Sequence, residues 1–368
     1  MLPDLLLYDH LHVRGGAENF TLAMRDALPD LRVVVAAAEP TLFPPTLLER
    51  VQVLDALPVR ASAAARSFNA LRRFSAYRPG QAPAVVLLSG HYAPLAVRRF
   101  AGAVSAIYLH AWPLHLLPVE EFPARSPSKR AALTLFQTWY AARWRRAMRM
   151  ASVVIANSAS LAQRVEHDSG VATQVLYPPV DIERFRAVDG GLRGQVYLSL
   201  ARHEPQKRVR LVIEAFLRMS QRVLRVASSG SQTAELRRLA AGAKNIEFVG
   251  DLAPDQVAQQ LASCRATLHV SKKEPFSMAI IESLASGRPA IACGDAGAVL
   301  AVGGDDATVL PLPAEPCVED IIAAVERCER LDLEALAVQC RRAAEPFRTS
   351  RFLERLEVIL GSARGAGC

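Results

Sequence analysis

No apolar run in this 368-residue sequence approaches the roughly 18 to 20 residues that a membrane-spanning helix needs. The opening MLPDLLLYDH has no basic leader, and Asp4 interrupts its short apolar run. It reads as a first strand, not as a signal peptide. Cysteine is sparse: Cys264, Cys293, Cys317, Cys328, Cys340 and Cys368 form no C-x-x-C pair. That argues against a zinc site or a disulfide framework and for reduced thiols in a cytosolic protein. There is no D-x-D near an expected strand end, which is consistent with the expectation of no metal and no cofactor. Acidic residues are nearly missing from one long stretch. Between Asp55 and Glu166 only Glu120 and Glu121 oppose a series of arginines and a lysine. A one-sign field over residues 56–165 suits an anionic partner, with a solvated basic face as the plainer alternative.

What is present is a regular alternation. Hydrophobic residues make up 51% of the chain, which excludes disorder and suffices for two cores. In the first half LLLY (5–8), RVVVAAA (32–38), AVVLLS (84–89), AIYLHA (106–111) and SVVIANS (152–158) read as strands. In the second half VYLSLA (196–201), RVLRVAS (222–228), IEFVG (246–250), ATLHVS (266–271) and PAIAC (289–293) do. Helical patterns separate them. Continuous Val, Ile, Leu and Ala strands between helices mean parallel sheets covered on both faces. The expectation is α/β, with two doubly wound Rossmann-like domains facing across a cleft. The boundaries expected are 1–186, 187–346, and a late amphipathic helix with tail at 347–368 that packs on either domain or crosses back.

Ligands in such sheets bind beyond the carboxyl ends of strands. KKEPFSMAIIESLASGRPAIA (272–292) stands in such a place, as a loop, an apolar helix, a glycine stop and a buried strand. Pro275 suits a first turn and Gly287 a C-terminal stop, so the amides of Phe276 to Ala279 open the helix and can meet an anion. Glu282 lies inside the apolar helix, eight residues after Glu274. Burying a carboxylate there costs roughly several kcal/mol unless it is hydrogen-bonded, and a vicinal diol would supply both bonds. A second loop, SLARHEPQKR (199–208), carries Arg202 and Lys207, two cations suited to a diphosphate.

These residues bring a resemblance. E-P-F-S-x4-E-S-x3-G-x-P from Glu274 to Pro289 resembles the E-x7-E signature of the retaining GT-B glycosyltransferases of family 4, the group 1 transferases. RGGAENF (14–20), ANSAS (156–160), YPPVDIERF (177–185) and the Arg202/Lys207 loop match in the same order, so nearly the whole chain is covered.

The resemblance implies a nucleoside-diphosphate sugar as donor and a saccharide, lipid-linked or small-molecule hydroxyl as acceptor. Glu274 would bind donor-sugar hydroxyls, with the amides of Phe276, Ser277 and Met278. Glu282 would hold the ribose. Arg202 and Lys207 would neutralise the diphosphate, and Gly15 and Gly16 would close over the donor. His110 matches the histidine that members place beside the transferred sugar. The catalytic set so implied is His110, Glu274, Arg202 and Lys207.

Two departures stand out: the family usually has glycine at the position of Ser277, and CGDAGAVL (293–300) lacks the glutamate of a common Gly-Gly-x-x-Glu element. The helix pattern SPSKRAALTLFQTWYAARWRRAMRM (126–150) joins Trp139, Tyr140 and Trp144 to five arginines and one lysine. It suits an anionic membrane surface, which would make a cytoplasmic enzyme peripheral on the inner face of the membrane. The alternative is a helix with its aromatics in the core. A non-catalytic polyanion binder is a competing reading, but the intact E-x7-E, Arg202 and Lys207 speak against it, and no nucleic acid is expected as partner.

Overall fold

A computed structural model describes residues 1–13, 15–55, 62–118, 126–188, 195–303 and 307–365. The chain forms two compact units. One runs to Pro178 and takes up the chain again from Phe352, and the other is Pro179–Arg351.

In the first unit seven strands, β1 (Leu5–Leu11), β2 (Arg32–Ala38), β3 (Val51–Asp55), β4 (Val85–Ser89), β5 (Val104–Leu109), β6 (Val153–Ala156) and β7 (Thr173–Val175), form one sheet in the order β3-β2-β1-β4-β5-β6-β7. All its pairings are parallel. Helices α1 (Gly16–Ala27), α2 (Ala63–Ala76), α3 (Pro127–Met150) and α4 (Ala159–Ser169) connect them. A 3-10 helix, Ala93–Phe100, follows β4. β1 is buried throughout because it lies mid-sheet with helices on both faces.

The second unit holds α5 (Ile182–Arg186), β8 (Val196–Ser199), α6 (Val209–Arg218), β9 (Val223–Ala227), α7 (Thr233–Leu239), β10 (Ile246–Gly250), α8 (Pro254–Ser263), β11 (Ala266–His269), α9 (Met278–Ala285), β12 (Ala290–Cys293), α10 (Gly297–Val302), β13 (Val309–Leu312), α11 (Val318–Glu329) and α12 (Leu333–Ala344). Its six parallel strands run β10-β9-β8-β11-β12-β13. Strand order reverses beside β1 and β4 in one sheet and beside β8 and β11 in the other. Those are the switch points where open α/β sheets bind ligands.

Several expectations change. β3, β7 and β13 were not anticipated, and all three are edge strands. β3 is half-exposed along its length, β7 has three residues, and β13 carries Pro311, which an edge tolerates. The expected boundary at 186 moves: α5 belongs to the second unit and packs on α8 and α9. The reason is the Pro178-Pro179 break, after which Val180 bridges to Arg348.

The last helix, α13 (Thr349–Gly365), brings Phe352, Leu356 and Leu360, all buried, into the first unit's core. There Phe352 meets Phe20 edge-on, with ring centroids 5.6 Å apart. Phe352→Ala is expected to destabilise that unit by about 3–5 kcal/mol, read from urea unfolding. No loss of stability would mean that the helix is only laid against the surface.

For two of the three aromatics of the basic helix α3 the structure takes the core reading. Tyr140 and Trp144 are fully buried in the first unit's core, where Trp144 meets Trp112 at 5.6 Å and the Tyr140 hydroxyl donates to the His91 carbonyl at 2.6 Å. Of the three aromatics only Trp139 reaches the surface, 37% exposed. Tyr140, Trp144, Ala147 and Met148 repeat at helical spacing, so one apolar stripe takes them inward. Among the described residues no helix is long and apolar enough to cross a membrane.

Candidate functional site

In the second unit the loop after β8 carries Arg202 and Lys207. Its path is set by His203, which is fully buried. The His203 backbone N–H donates to Ser229 O at 3.0 Å, and its carbonyl accepts from Gln232 N at 2.9 Å. His203 Nδ1 pairs with Thr233 Oγ1 at 2.9 Å. Gly230 makes this possible, since a Cβ there would sit 2.6 Å from the His203 carbonyl oxygen. The Glu204 carboxylate accepts from Ser231 N at 3.1 Å and from its hydroxyl at 2.6 Å. A 3-10 turn, Pro205–Lys207, then points the chain into α6.

Lys207 Nζ forms a salt bridge with Glu274 Oε2, and both side chains are mostly buried. The loops after β8 and β11 are thereby tied across the switch point, and Lys272 N adds a 2.8 Å bond to Gln206 O. Arg208, which sequence reasoning did not single out, is the anchor beneath them. Its guanidinium donates to Val270 O at 2.6 Å, Glu315 Oε2 at 2.7 Å and Ala314 O at 2.9 Å. Nothing in the sequence separates Arg208, turned inward, from Lys207 beside it. Arg202 sits in the same loop, half-buried, with Glu204 as a neighbouring charge.

The segment before α9 departs from expectation. The helix starts at Met278, not Phe276, because Ser277 has φ +78° and ψ +82°, in the left-handed region. Lys273 is left-handed too, at φ +48°. A glycine would take the Ser277 conformation without strain, which gives the Ser277 departure a physical meaning: it costs about 1–2 kcal/mol here. Ser277→Gly is therefore expected to raise stability by about 1 kcal/mol in urea unfolding, with donor binding retained. The loop is held open by the chain beyond β12, where Ala298 N donates to Phe276 O at 2.8 Å and Gly297 N to Glu274 O at 3.3 Å. The Phe276 ring is buried, 5.6 Å from that of Phe347. It is an anchor, and only its backbone is left for a ligand. Met278 and Ala279 open the helix, and such first-turn amides have no intrahelical acceptor.

A buried chain of hydrogen bonds fixes α9 against β11. His269 Nε2 pairs with Thr267 Oγ1 at 2.8 Å, Thr267 donates to Ser283 Oγ at 2.9 Å, and Ser283 donates to Arg288 O at 3.1 Å. Glu282 precedes Ser283. Among the described residues no hydrogen bond or ion pair holds its carboxylate, and burial pushes it up to about 7, with Arg184 of α5 opposing. An unpaired, half-buried carboxylate at this point is costly to the fold and chemically available to a ligand.

In the first unit, Gly15 precedes α1 with an extended backbone, φ −137°, so no special conformation requires glycine there. A Cβ would instead sit 2.8 Å from Glu18 Oε2. Glu18 is buried and accepts from the Tyr8 hydroxyl at 3.1 Å. Gly16 is the first residue of α1. His110 follows β5 and is packed by Phe20 at 4.8 Å and Tyr108 at 4.9 Å. Burial, with His91 nearby, pulls its imidazole down to about 3, so it is neutral at pH 7. Its Nε2 is buried with no hydrogen-bond partner, while Asn157 Nδ2 donates to its carbonyl at 2.8 Å.

Sequence reasoning missed Asp9, at the carboxyl end of β1. Its carboxylate accepts from the backbone N–H groups of Tyr92 at 3.0 Å and Ala93 at 2.8 Å, and from that of His91. Gly90, at φ +105°, permits this because its Cβ would be 2.6 Å from Asp9. Burial raises the Asp9 carboxyl to about 6 against those bonds. The order D-H at the end of β1 and S-G-H-Y at the end of β4 was the available signal. The two sets of predicted residues are thus gathered separately: Arg202, Lys207, Glu274, Phe276, Ser277, Met278 and Glu282 at one switch point, Gly15, Gly16 and His110 near the other. Arg14 lies outside the described residues. No group of three His, Cys, Asp or Glu side chains that could hold a metal ion occurs among the described residues.

Two doubly wound parallel-sheet units in one chain define the GT-B class of glycosyltransferase architecture. The family models agree: Glycosyltransferase Family 4 matches residues 14–184 and Glycosyl transferases group 1 matches residues 194–329. The chain belongs to this family of glycosyltransferases. No curated protein sequence matches it. Among solved structures, Anabaena HepE in complex with UDP-glucose is similar over 98% of this chain and 100% of its own, with TM-score 0.71 and 18% identity. Sucrose-phosphate synthase from Thermosynechococcus elongatus is similar over 99% and 100%, with TM-score 0.72 and 17% identity. A Rickettsia africae glycosyltransferase is similar over 98% and 97%, with TM-score 0.69 and 15% identity. At these identities the likeness is one of fold.

Proposed function

We propose that the protein is a retaining glycosyltransferase that moves a hexose-type sugar from a nucleoside-diphosphate sugar to a hydroxyl acceptor, in bacterial polysaccharide, lipopolysaccharide or glycolipid assembly. The observation that carries the reading is the pairing of Lys207 with Glu274 across the β8/β11 switch point, with the unpaired Glu282 one helix turn further on. Without ligand the cation and the carboxylate neutralise each other. A donor entering there gives Lys207 a phosphate and Glu274 sugar hydroxyls.

The chemistry follows from charge. The bond from the anomeric carbon to the diphosphate oxygen breaks, and the acceptor oxygen bonds that carbon on the same face. The leaving phosphate takes the acceptor's proton. Arg202, Lys207 and the first amides of α9 stabilise the negative charge that builds on the leaving group. Glu282 accepts from the ribose diol. In the first unit His110, neutral and with its Nε2 unpartnered, is the candidate for binding a hydroxyl. In this scheme no protein nucleophile or metal enters a step.

The test is a thermal-shift panel of UDP, GDP and ADP with their sugars, since a ligand of the native state raises its melting point. HepE, solved with UDP-glucose, puts UDP first in the panel. A response to one nucleotide is expected; none to any of them sinks the reading. Product analysis with and without acceptor separates transfer from epimerisation or phosphorolysis on the same scaffold. It also separates polymer or lipid acceptors from small natural products.

One observation favours a lipid surface near the acceptor. α3 carries no acidic residue, and its outer face shows Leu135, 73% exposed, and Trp139, with the Arg143 guanidinium 4.7 Å over the Trp139 ring. Salt-sensitive binding to phosphatidylglycerol vesicles, lost in Leu135→Glu/Trp139→Glu, is expected. Equal binding to neutral vesicles contradicts it.

A further inference from the structure

Among the described residues five non-glycine residues have a positive φ, and four of them, Arg208, Ser228, Lys273 and Ser277, stand beyond the carboxyl ends of second-unit strands. Arg208 follows Lys207 directly, at φ +51° and ψ +31°. Glycine holds that conformation freely and arginine does not, so the strain persists only where surrounding contacts over-determine it. Here those contacts come from three other loops. The guanidinium donates to Val270 O after β11 and to Ala314 O after β13, and its Nη2 lies 3.5 Å from Cys293 Sγ at the end of β12. Glu315 joins it to a second cation: Oε2 takes Arg208 Nη1 at 2.7 Å while Oε1 takes Lys272 Nζ at 3.1 Å. Lys272 stands two residues before Glu274, and Arg208 stands next to Lys207. One carboxylate thus ties together the two loops that present the Lys207–Glu274 pair.

We propose that Arg208 and Glu315 are positioning residues for sugar transfer, holding the loop of Lys207 and the loop of Glu274 in the register that the donor requires. The proposal rests on the donor reading above and gives neither residue a contact with substrate. A nucleoside diphosphate alone can settle on loops that have shifted slightly. A sugar held for reaction needs Lys207 on its diphosphate and Glu274 on its hydroxyls at once, and a misplacement of about 1 Å costs about 10² in rate. Loss of the clamp therefore falls on turnover far more than on nucleotide affinity.

The experiment compares wild type with Arg208→Gly, which relieves the backbone as it removes the clamp. UDP, GDP and ADP are titrated calorimetrically, and nucleotide release is followed from UDP-glucose, GDP-mannose and ADP-glucose, with water as acceptor where no sugar serves. Arg208→Gly is expected to keep its nucleotide affinity within about threefold and to lose about 10²-fold in turnover. Low millimolar guanidinium chloride should raise turnover of this variant several-fold by refilling the vacated space, while sodium chloride at the same ionic strength should not. The same guanidinium should not raise turnover of the wild type. Glu315→Gln gives a second reading should Arg208→Gly fail to fold, because the Glu315 side chain is 65% exposed. Its turnover is expected to fall about tenfold with nucleotide affinity kept. Wild-type turnover in the variants, an equal loss of affinity and turnover, or no rescue of Arg208→Gly by guanidinium overturns the proposal and leaves the donor reading standing. Failure of the wild type to bind any of the nucleotides, or to turn over any of the sugar nucleotides, brings down the donor reading and this one with it.

Discussion

Glu274→Ala should lower the transfer rate by about 10²–10³ while nucleoside-diphosphate binding is kept or tightened. The reasoning starts from the salt bridge. Glu274 occupies Lys207 in the ligand-free protein, so nucleotide binding must first break that pair. Removing the carboxylate releases the ammonium for the diphosphate and at the same time deprives the sugar of its hydroxyl acceptor. Affinity for the nucleotide and rate of transfer then move in different directions, a split that loss of fold would not produce. It is read by titrating the nucleotide and by initial-rate kinetics on one preparation. An equal loss of both would make Glu274 a structural partner of Lys207 and nothing more.

Glu282→Gln should stabilise the free protein and weaken its ligand. The Glu282 carboxyl rises from 4.5 to about 7 through burial. In the unfolded chain it ionises near the ordinary value, so between these pH values the folded protein holds more protons. Stability therefore falls as pH rises through that window, and the full penalty is present above it. Glutamine carries no such penalty. At pH 8 the variant is expected to be more stable than wild type by roughly 2 kcal/mol, and at pH 4.5 the two should converge.

Nucleotide affinity should fall about 10- to 100-fold at pH 8, because two hydrogen bonds to a charged acceptor are lost. Below pH 6 the difference should shrink, as wild-type Glu282 is then protonated too. Comparing the two proteins at each pH cancels the titration of the nucleotide's own phosphate. A variant less stable at pH 8 would mean that Glu282 is held by the fold. Function placed against stability is what a binding residue, not a packing residue, produces.

Much of this was legible because spacing carries it. Glu274 and Glu282 are separated by a run too apolar for a solvated helix, with Pro275 before it and Gly287 after, and that pattern located the helix and its strand end. The central strands were equally plain, since a strand buried on both faces is written in Val, Leu, Ile and Ala.

Other features were not legible, each for a physical reason. Edge strands such as β7 bury little and so leave little pattern. Arg208 and Lys207 are neighbours, and only the turn that sets φ +51° at Arg208 sends one inward and the other to Glu274. Asp9 is distant in sequence from the amides that it accepts, and Gly230 is required by a carbonyl from another loop. Composition left the aromatics of α3 between two readings although their spacing carried the answer: Tyr140 and Trp144 are four residues apart and share a face, and Trp139 lies off it.

The account rests on a nucleoside diphosphate seated on the second unit by Arg202 and Lys207. Calorimetric titration of UDP, GDP and ADP into wild type and into Arg202→Ala/Lys207→Ala tests it most directly. One of the three should bind the wild type and lose at least about a hundredfold in affinity in the double variant, as expected for two charge-assisted contacts. No binding of any of them, or unchanged affinity without those two cations, would contradict it.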